Sequence, residues 1–304
     1  MYNEERKVQF IESTRSSSDF GRSVFRTTGR YEEAAGTDFC ELPLETVQEI
    51  INGNFGARTR SMDSYVAFLR SYVVWCKDNG YETCDAIYDV QSQMDEKIRR
   101  RMVSSPRHLQ ATLDKVFQPV ESNTVDCIYR CYLWMAFAGI AEEDALDIKV
   151  SEVDFSSMLI EHGGKSYELY REAIPAFRMA CDATEFVYEH PRYKQTRNRC
   201  AGEYLMRGIR SEQVKLNTVK SIIQKAFKAH DVELTYGKLR LSGVFYRVYE
   251  AERMGDPVNF DTLIADHISK MGSTYHTNYT RSKVAGILRR DLFDDYACWK
   301  AVFT

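Results

Sequence analysis

Two kinds of side chain in this sequence could carry chemistry by their type and spacing: the cysteines and the basic residues. Eight cysteines stand at positions 40, 76, 84, 127, 131, 181, 200 and 298. A structural zinc ion takes four sulfur, nitrogen or oxygen ligands, usually supplied as two close pairs. Cys127 and Cys131 lie one helical turn apart, yet no second close pair and no neighbouring histidine completes the pattern. The cysteines therefore read as buried or partly buried free thiols, with no metal or other cofactor implied.

The basic residues are informative only by segment. The whole chain has 41 basic and 44 acidic side chains and a formal charge of -3, which exerts no global pull on nucleic acid or an anionic membrane. Residues 119–189 hold 5 basic and 14 acidic residues, whereas 190–254 hold 14 basic and 6 acidic. If the cations of the second stretch converge, they can neutralise phosphates and release counterions, which gives salt-dependent binding without reading a sequence. Ordinary solvation, or pairing with the preceding acidic stretch, accounts for the same pattern.

The elements that must position these residues follow from periodicity. Residues 1–41 are rich in Ser, Thr, Gly, Arg and Glu with little apolar rhythm, and read as a flexible arm with at most one short helix. Order is expected from Leu42-Pro43. Leu44, Val47, Ile50 and Ile51 recur at helical spacing, and Tyr65, Phe68, Leu69, Tyr72, Val73 and Cys76 form a second stripe that Asn79-Gly80 ends. DAIYDVQSQMDEKIRRRM and PRHLQATLDKVF read as two further helices, completing a small helical domain over 42–118.

After Pro119 the pattern changes. VDCIYRCYLWMAFAGI predicts an apolar helix that stops near Gly139, and AEEDALDI a short one. MLIEH and SYELY flank Gly163-Gly164 as a β-hairpin. Helices are expected again over PAFRMACDATEFVYEH, SEQVKLNTVKSIIQKAFKAH, KLRLSGVFYRVYEAERMG, TLIADHISKMG and SKVAGILRRDLFDDYACWKAVF. The fold is expected to be mainly α, and no βαβ rhythm suggests a dinucleotide site. MYNEERKVQF lacks a signal-peptide core, and no apolar run approaches the length that spans a bilayer, so a cytoplasmic protein without a membrane partner is expected.

This order of elements resembles the tyrosine recombinase, or phage integrase, family over about residues 42–300. GARTRSMDSYVAFLRSYVVWCKDNGY is similar to the opening helix of that family's core-binding domain. YLWMAFAGIAEEDALDIKVSEVDFSSMLIEHGGKSYELYREAIPAF is similar to the start of its catalytic domain. The resemblance implies a small helical SAM-like core-binding domain over 42–118. A tyrosine-recombinase-like α+β domain with a small β-hairpin sheet would then occupy 119–304, the two clasping duplex DNA.

The family's catalytic letters are missing. Ala141, in Ala138-Gly139-Ile140-Ala141, stands where the resemblance implies the first catalytic arginine, and a methyl group offers no donors to a scissile phosphate. In LRLSGVFYRVYEAERMG, the resemblance puts Gly243 at the family histidine and Tyr246 at the second arginine, with Arg247 in the following basic position; a register shifted by one residue puts Val244 and Arg247 in those places, and neither restores the whole motif. Lys165 falls near the catalytic lysine. Near the expected nucleophile stand Tyr275, His276 and Tyr279, with Ser273 and Ser282 at the diagnostic spacings.

The expectation is a DNA-binding protein of recombinase fold, regulatory or architectural in a mobile element such as a prophage, with no catalytic residue. Double-stranded DNA would be held by Arg58, Arg60, Lys165, Arg197, Arg199, Lys238, Arg240 and Arg247. Two other readings stay open: an active recombinase with a rearranged site, and a protein-interaction scaffold that does not bind DNA. The aromatic tail DLFDDYACWKAVF could also exchange between protomers of a homo-oligomer, although packing on its own core is the default.

Overall fold

The computed structural model describes residues 1–14, 17–54, 59–91, 93–119, 123–190, 192–256 and 281–304. The chain divides into two compact units, one of residues 1–97 with 275–298, the other of 98–274 with 299–304. The division near residue 97 differs from the sequence expectation of a boundary near 118.

The first unit departs most from expectation. Residues 1–41, read as a flexible arm, contain helices α1 (Glu4–Ser13) and α2 (Ser18–Ala35). Ser17 caps α2 by accepting from the Phe20 N–H, and Gly36 ends it in a left-handed conformation. Phe10, Val24 and Phe25 are buried. Phe10 lies edge-on to Phe68 at 5.3 Å and to Tyr72 at 5.1 Å between ring centroids, so α1 and α2 share a core with α4.

The buried stripe of α2 also contains Gly21, Thr28, Gly29 and Glu32, which is why a hydrophobicity reading missed it. Glu32 is neutralised by an ion pair with Lys7, both side chains being fully buried. It also accepts from Thr28 Oγ1 at 2.8 Å and from the Phe39 N–H at 2.7 Å. Burial nevertheless raises the carboxyl's pKa.

Helices α3 (Leu44–Asn54) and α4 (Thr59–Asp78) fall where the stripes place them. Gly80 takes the positive φ that ends the α4 segment. The helix expected over 85–102 is instead a 3-10 turn, Asp85–Tyr88, followed by α5 (Met94–Arg101).

In the second unit, α6 (Pro106–Val116) is capped by Ser105. Helix α7 (Thr124–Ala138) is buried on nearly every side from Cys127 to Ala138. The short helix expected after it is a 3-10 turn, Asp144–Leu146. Strands β1 (Val153–Asp154), β2 (Leu159–His162) and β3 (Lys165–Glu168) form an antiparallel sheet. His162 pairs with Lys165 across Gly163 and Gly164, whose φ angles of 58° and 73° suit a tight turn that matches strand twist.

Helix α8 (Ile174–Asp182) stops eight residues before the helical reading did. EFVYEH becomes strand β4 (Glu185–His190), paired with β5 (Tyr193–Asn198) as a separate two-stranded ribbon. Its aromatic and β-branched residues favour extended backbone once the helix has ended. Helices α9 (Leu216–Ala229), α10 (Tyr236–Met254) and α11 (Arg281–Phe303) follow. TLIADHISKMG lies outside the described residues. Among the described residues, no helix is long and apolar enough to cross a membrane.

In the tail, Leu292, Tyr296, Trp299 and Val302 are buried within the chain. Trp299 Nε1 donates to the Val103 carbonyl at 3.0 Å.

Candidate functional site

Ala141, Gly243 and Tyr246, singled out from the sequence, lie where α10 crosses the end of α7. A helix leaves its last carbonyls without intrahelical partners, and they carry partial negative charge. Gly139 closes α7 with φ 102° and returns its N–H to Ala136 and Met135. The freed carbonyls are then taken by α10. Arg247 Nη1 donates to Phe137 O at 3.1 Å, Arg240 Nε to Gly139 O at 2.8 Å, and the Tyr236 hydroxyl to Ile140 O at 3.1 Å.

The two guanidinium groups are thus a cap on α7. A second bond of Arg247 Nη1, to the Tyr170 hydroxyl at 3.4 Å, fixes its plane. A Cβ on Gly139 would meet Arg247 Nη2 at 3.0 Å, so this guanidinium lies against the glycine itself. Ala141 is buried, with its carbonyl accepting from the Ala145 N–H.

Gly243 has a packing cause. A Cβ built there would lie 1.8 Å from the Phe137 carbonyl oxygen, far inside contact distance. The α7–α10 crossing is so close at this point that no side chain fits, histidine included. Tyr246, one turn on, packs its ring 5.8 Å from that of Phe137 and borders a cavity of about 690 Å³.

That cavity carries Arg107, Arg171 and Arg253 against Glu168, Glu172 and Glu250. Balanced charges of this kind give no net attraction for a phosphate. Burial, then Glu250 and Glu168, raise the pKa of the Tyr246 phenol, the opposite of what an attacking tyrosine needs.

The eight residues expected to meet DNA separate. Arg199 is corrected outright: it is buried and donates to the carbonyls of Ala180, Ala183 and Leu205. Desolvation lowers its pKa, and its role is to hold the chain after β5 against the end of α8. Arg240 and Arg247 are likewise engaged as described, although both remain partly exposed. Lys165 stands exposed at the start of β3, Lys238 is half-buried in the first turn of α10, and both have further interactions. Arg197 is exposed on β5. Arg58 and the side chain of Arg60 lie outside the described residues, as do Ser273, Tyr275, His276, Tyr279 and the side chain of Ser282.

Other cations are better presented. Arg210, Lys215, Lys225 and Lys228 are exposed. All four belong to the basic stretch, and the last two sit one turn apart on α9. Segment charge pointed at this stretch, but choosing among its members needed burial. Arg100 and Arg101 of α5 are paired instead, with Glu233 and, for Arg100, Asp231. The thiols of Cys127 and Cys131 are buried on α7, and burial raises both pKa values, that of Cys127 to about 12.

The profile of the family described as MrpR, N-terminal core-binding domain, matches residues 1–78. It includes the segment read from sequence as an arm. No curated protein sequence matches the chain significantly. Among solved structures the chain is similar to an integrase from mycobacterium phage Brujita, at 16% identity over 99% of this chain and 96% of that one, with a TM-score of 0.36. It is similar to XerA recombinase at 12% identity, over 90% and 98%, with a TM-score of 0.39. A lambda integrase (75-356) dimer bound to a COC' core site gives 12% identity, over 93% of each chain, with a TM-score of 0.34. These likenesses are distant in sequence and in superposition.

Proposed function

We propose that this chain is a DNA-binding protein of the tyrosine recombinase type that does not cleave DNA, serving a regulatory or architectural role. The observation that carries the non-cleaving half is the α7–α10 junction. Phosphoryl transfer by a tyrosine needs guanidinium groups free to meet charge as it develops on the phosphate. Here Arg240 and Arg247 are engaged with backbone carbonyls, Ala141 has no donor to offer, and Gly243 has no room for a side chain.

The DNA-binding half is supported by the exposed cations Arg197, Arg210, Lys215, Lys225 and Lys228, drawn from a stretch with 14 basic and 6 acidic residues. The family matched over residues 1–78 bears the term core-binding in its description, which agrees with this reading. Arg199 is removed from the proposed contacts; Arg240 and Arg247 contribute through any guanidinium edge left open.

The test is selection of binding sites from fragmented genomic DNA, followed by a salt titration on the recovered duplex. The expected result is retention of a duplex whose affinity falls steeply with salt. Replacing Lys225 and Lys228 together by Ala should reduce the log–log slope by about 2. Absence of any retained duplex at low salt would refute DNA binding. A covalent adduct on a nicked suicide version of the selected duplex would refute the loss of cleavage.

A further inference from the structure

The core of the first unit contains a cluster that the DNA reading does not use. Asp38, Cys40 and Cys76 are buried to within 1% of complete enclosure, and one ligand atom from each lies within 4.8 Å of the other two. Asp38 precedes the 3-10 turn Phe39–Glu41, and Cys76 comes from the last turn of α4. The sequence concealed this set because its two sulfurs belong to different elements, and a spacing rule sees only close pairs.

The carboxylate is held in a fixed orientation. Asn3 Nδ2 donates to Oδ2 at 3.0 Å, while the Tyr72 hydroxyl and the Cys40 N–H donate to Oδ1 at 2.9 and 3.3 Å. Outer hydrogen bonds of this kind are what orient a carboxylate ligand on a metal. The two thiols hydrogen-bond to each other and to the Asp38 and Tyr72 side chains that surround them, and Cys40 Sγ also reaches the Glu82 carbonyl at 3.5 Å.

Arg6 supplies the remaining charge. Its Nη1 lies 3.6 Å from Asp38 Oδ2 and 3.9 Å from Cys40 Sγ, and its side chain is 20% exposed. The cluster is therefore one side chain below solvent, which provides an entry path. From these contacts we propose that Asp38, Cys40 and Cys76 form a binding site for a thiophilic divalent cation of the zinc class.

The geometry and the charge count agree with that assignment. Zinc–sulfur bonds of about 2.3 Å and a zinc–oxygen bond of about 2.0 Å place tetrahedral ligands roughly 3.3–3.8 Å apart. The cluster, whose ligand atoms lie within 4.8 Å of one another, needs to contract by no more than about 1.5 Å to meet that. Binding would release the two thiol protons to solvent. Two thiolates and a carboxylate then carry three negative charges, which the dication and Arg6 cancel, so that no net charge is buried. The Glu82 carbonyl oxygen, or a water, is available as the fourth, neutral ligand.

The experiment uses the full chain, isolated under reducing conditions and stripped of metal. Cobalt(II) should bind one ion per chain with the sulfur-to-metal charge-transfer band of a thiolate site. Zinc should raise the melting temperature where magnesium does not, and a chelator should reverse the rise. C40S and C76S should abolish the band and D38N should weaken cobalt affinity tenfold or more. C84S, an exposed cysteine outside the cluster, should change nothing.

Should the serine variants fail to fold, alkylation of the wild type replaces them. Zinc should slow modification of Cys40 and Cys76 and leave Cys84 at its metal-free rate. Cobalt binding without a sulfur band, a band that survives C40S, C76S or the double variant, or equal alkylation with and without zinc would overturn the site. So would an intact mass showing the two sulfurs already joined in protein isolated without reductant.

Discussion

Replacing Gly243 by alanine is the sharpest test of the α7–α10 junction. The new methyl carbon would start 1.8 Å from the Phe137 carbonyl oxygen and 2.7 Å from its carbon. Carbon and carbonyl oxygen tolerate about 3.3 Å, so the helices must part by roughly 1.5 Å at their crossing. Overpacking of a close-packed core costs about 1–3 kcal/mol. The same movement stretches the Arg247 bond to that oxygen, adding about 1 kcal/mol.

Alanine's better helix propensity returns about 1 kcal/mol, leaving a net loss of roughly 1–3 kcal/mol. For a unit of this size that is a fall in Tm of roughly 2–12 °C. Urea unfolding should show a lower midpoint with an unchanged slope. Gly237, in the same helix with nothing within 4 Å of its built Cβ, is the control. Its alanine variant should be neutral or stabilising by up to about 1 kcal/mol. A Gly243→Ala protein within about 0.5 kcal/mol of wild type would show that the junction is not closed, and the steric account of Gly243 would fall with it.

Two further predictions concern buried charge. Burial pushes the Asp126 carboxyl up to about 6, against the opposing pull of the Gln118 N–H and Arg130. Its folded pKa therefore lies above the unfolded value near 3.9, so the stability it contributes is complete below about pH 4 and is lost as pH rises through 6. Asp126→Asn should flatten a decline of roughly 1–2 kcal/mol between pH 4 and 7 and be more stable than wild type at pH 8, as urea midpoints across that range would report. Parallel pH profiles for the two proteins would refute it. Lys7→Met should cost roughly 3–5 kcal/mol because it strands Glu32 in the core. Adding Glu32→Gln should restore part of that loss, because its amide oxygen can still accept from the Phe39 N–H while its NH2 donates to the Thr28 hydroxyl; no recovery in the double variant would contradict the electrostatic origin.

The parts of this protein legible in the sequence are those in which each element carries its own signal. The stripes of α3 and α4, the Gly139 stop and the paired glycines of the β2–β3 turn are local patterns. Backbone geometry and solvent exclusion act on them within a few residues.

Tertiary structure decided what depends on residues distant in the chain. Helix α2 is an ordered core element because Lys7 neutralises Glu32 and aromatic rings from α4 cover it, which no stretch of Ser, Thr and Gly announces. EFVYEH became a strand because a partner of six residues lay across a turn. Arginines look alike in a sequence, yet Arg199 is held by three carbonyls, Arg247 caps a helix, and Lys225 and Lys228 face water. Burial and the supply of unpaired carbonyls set those fates, and both are properties of the packed chain.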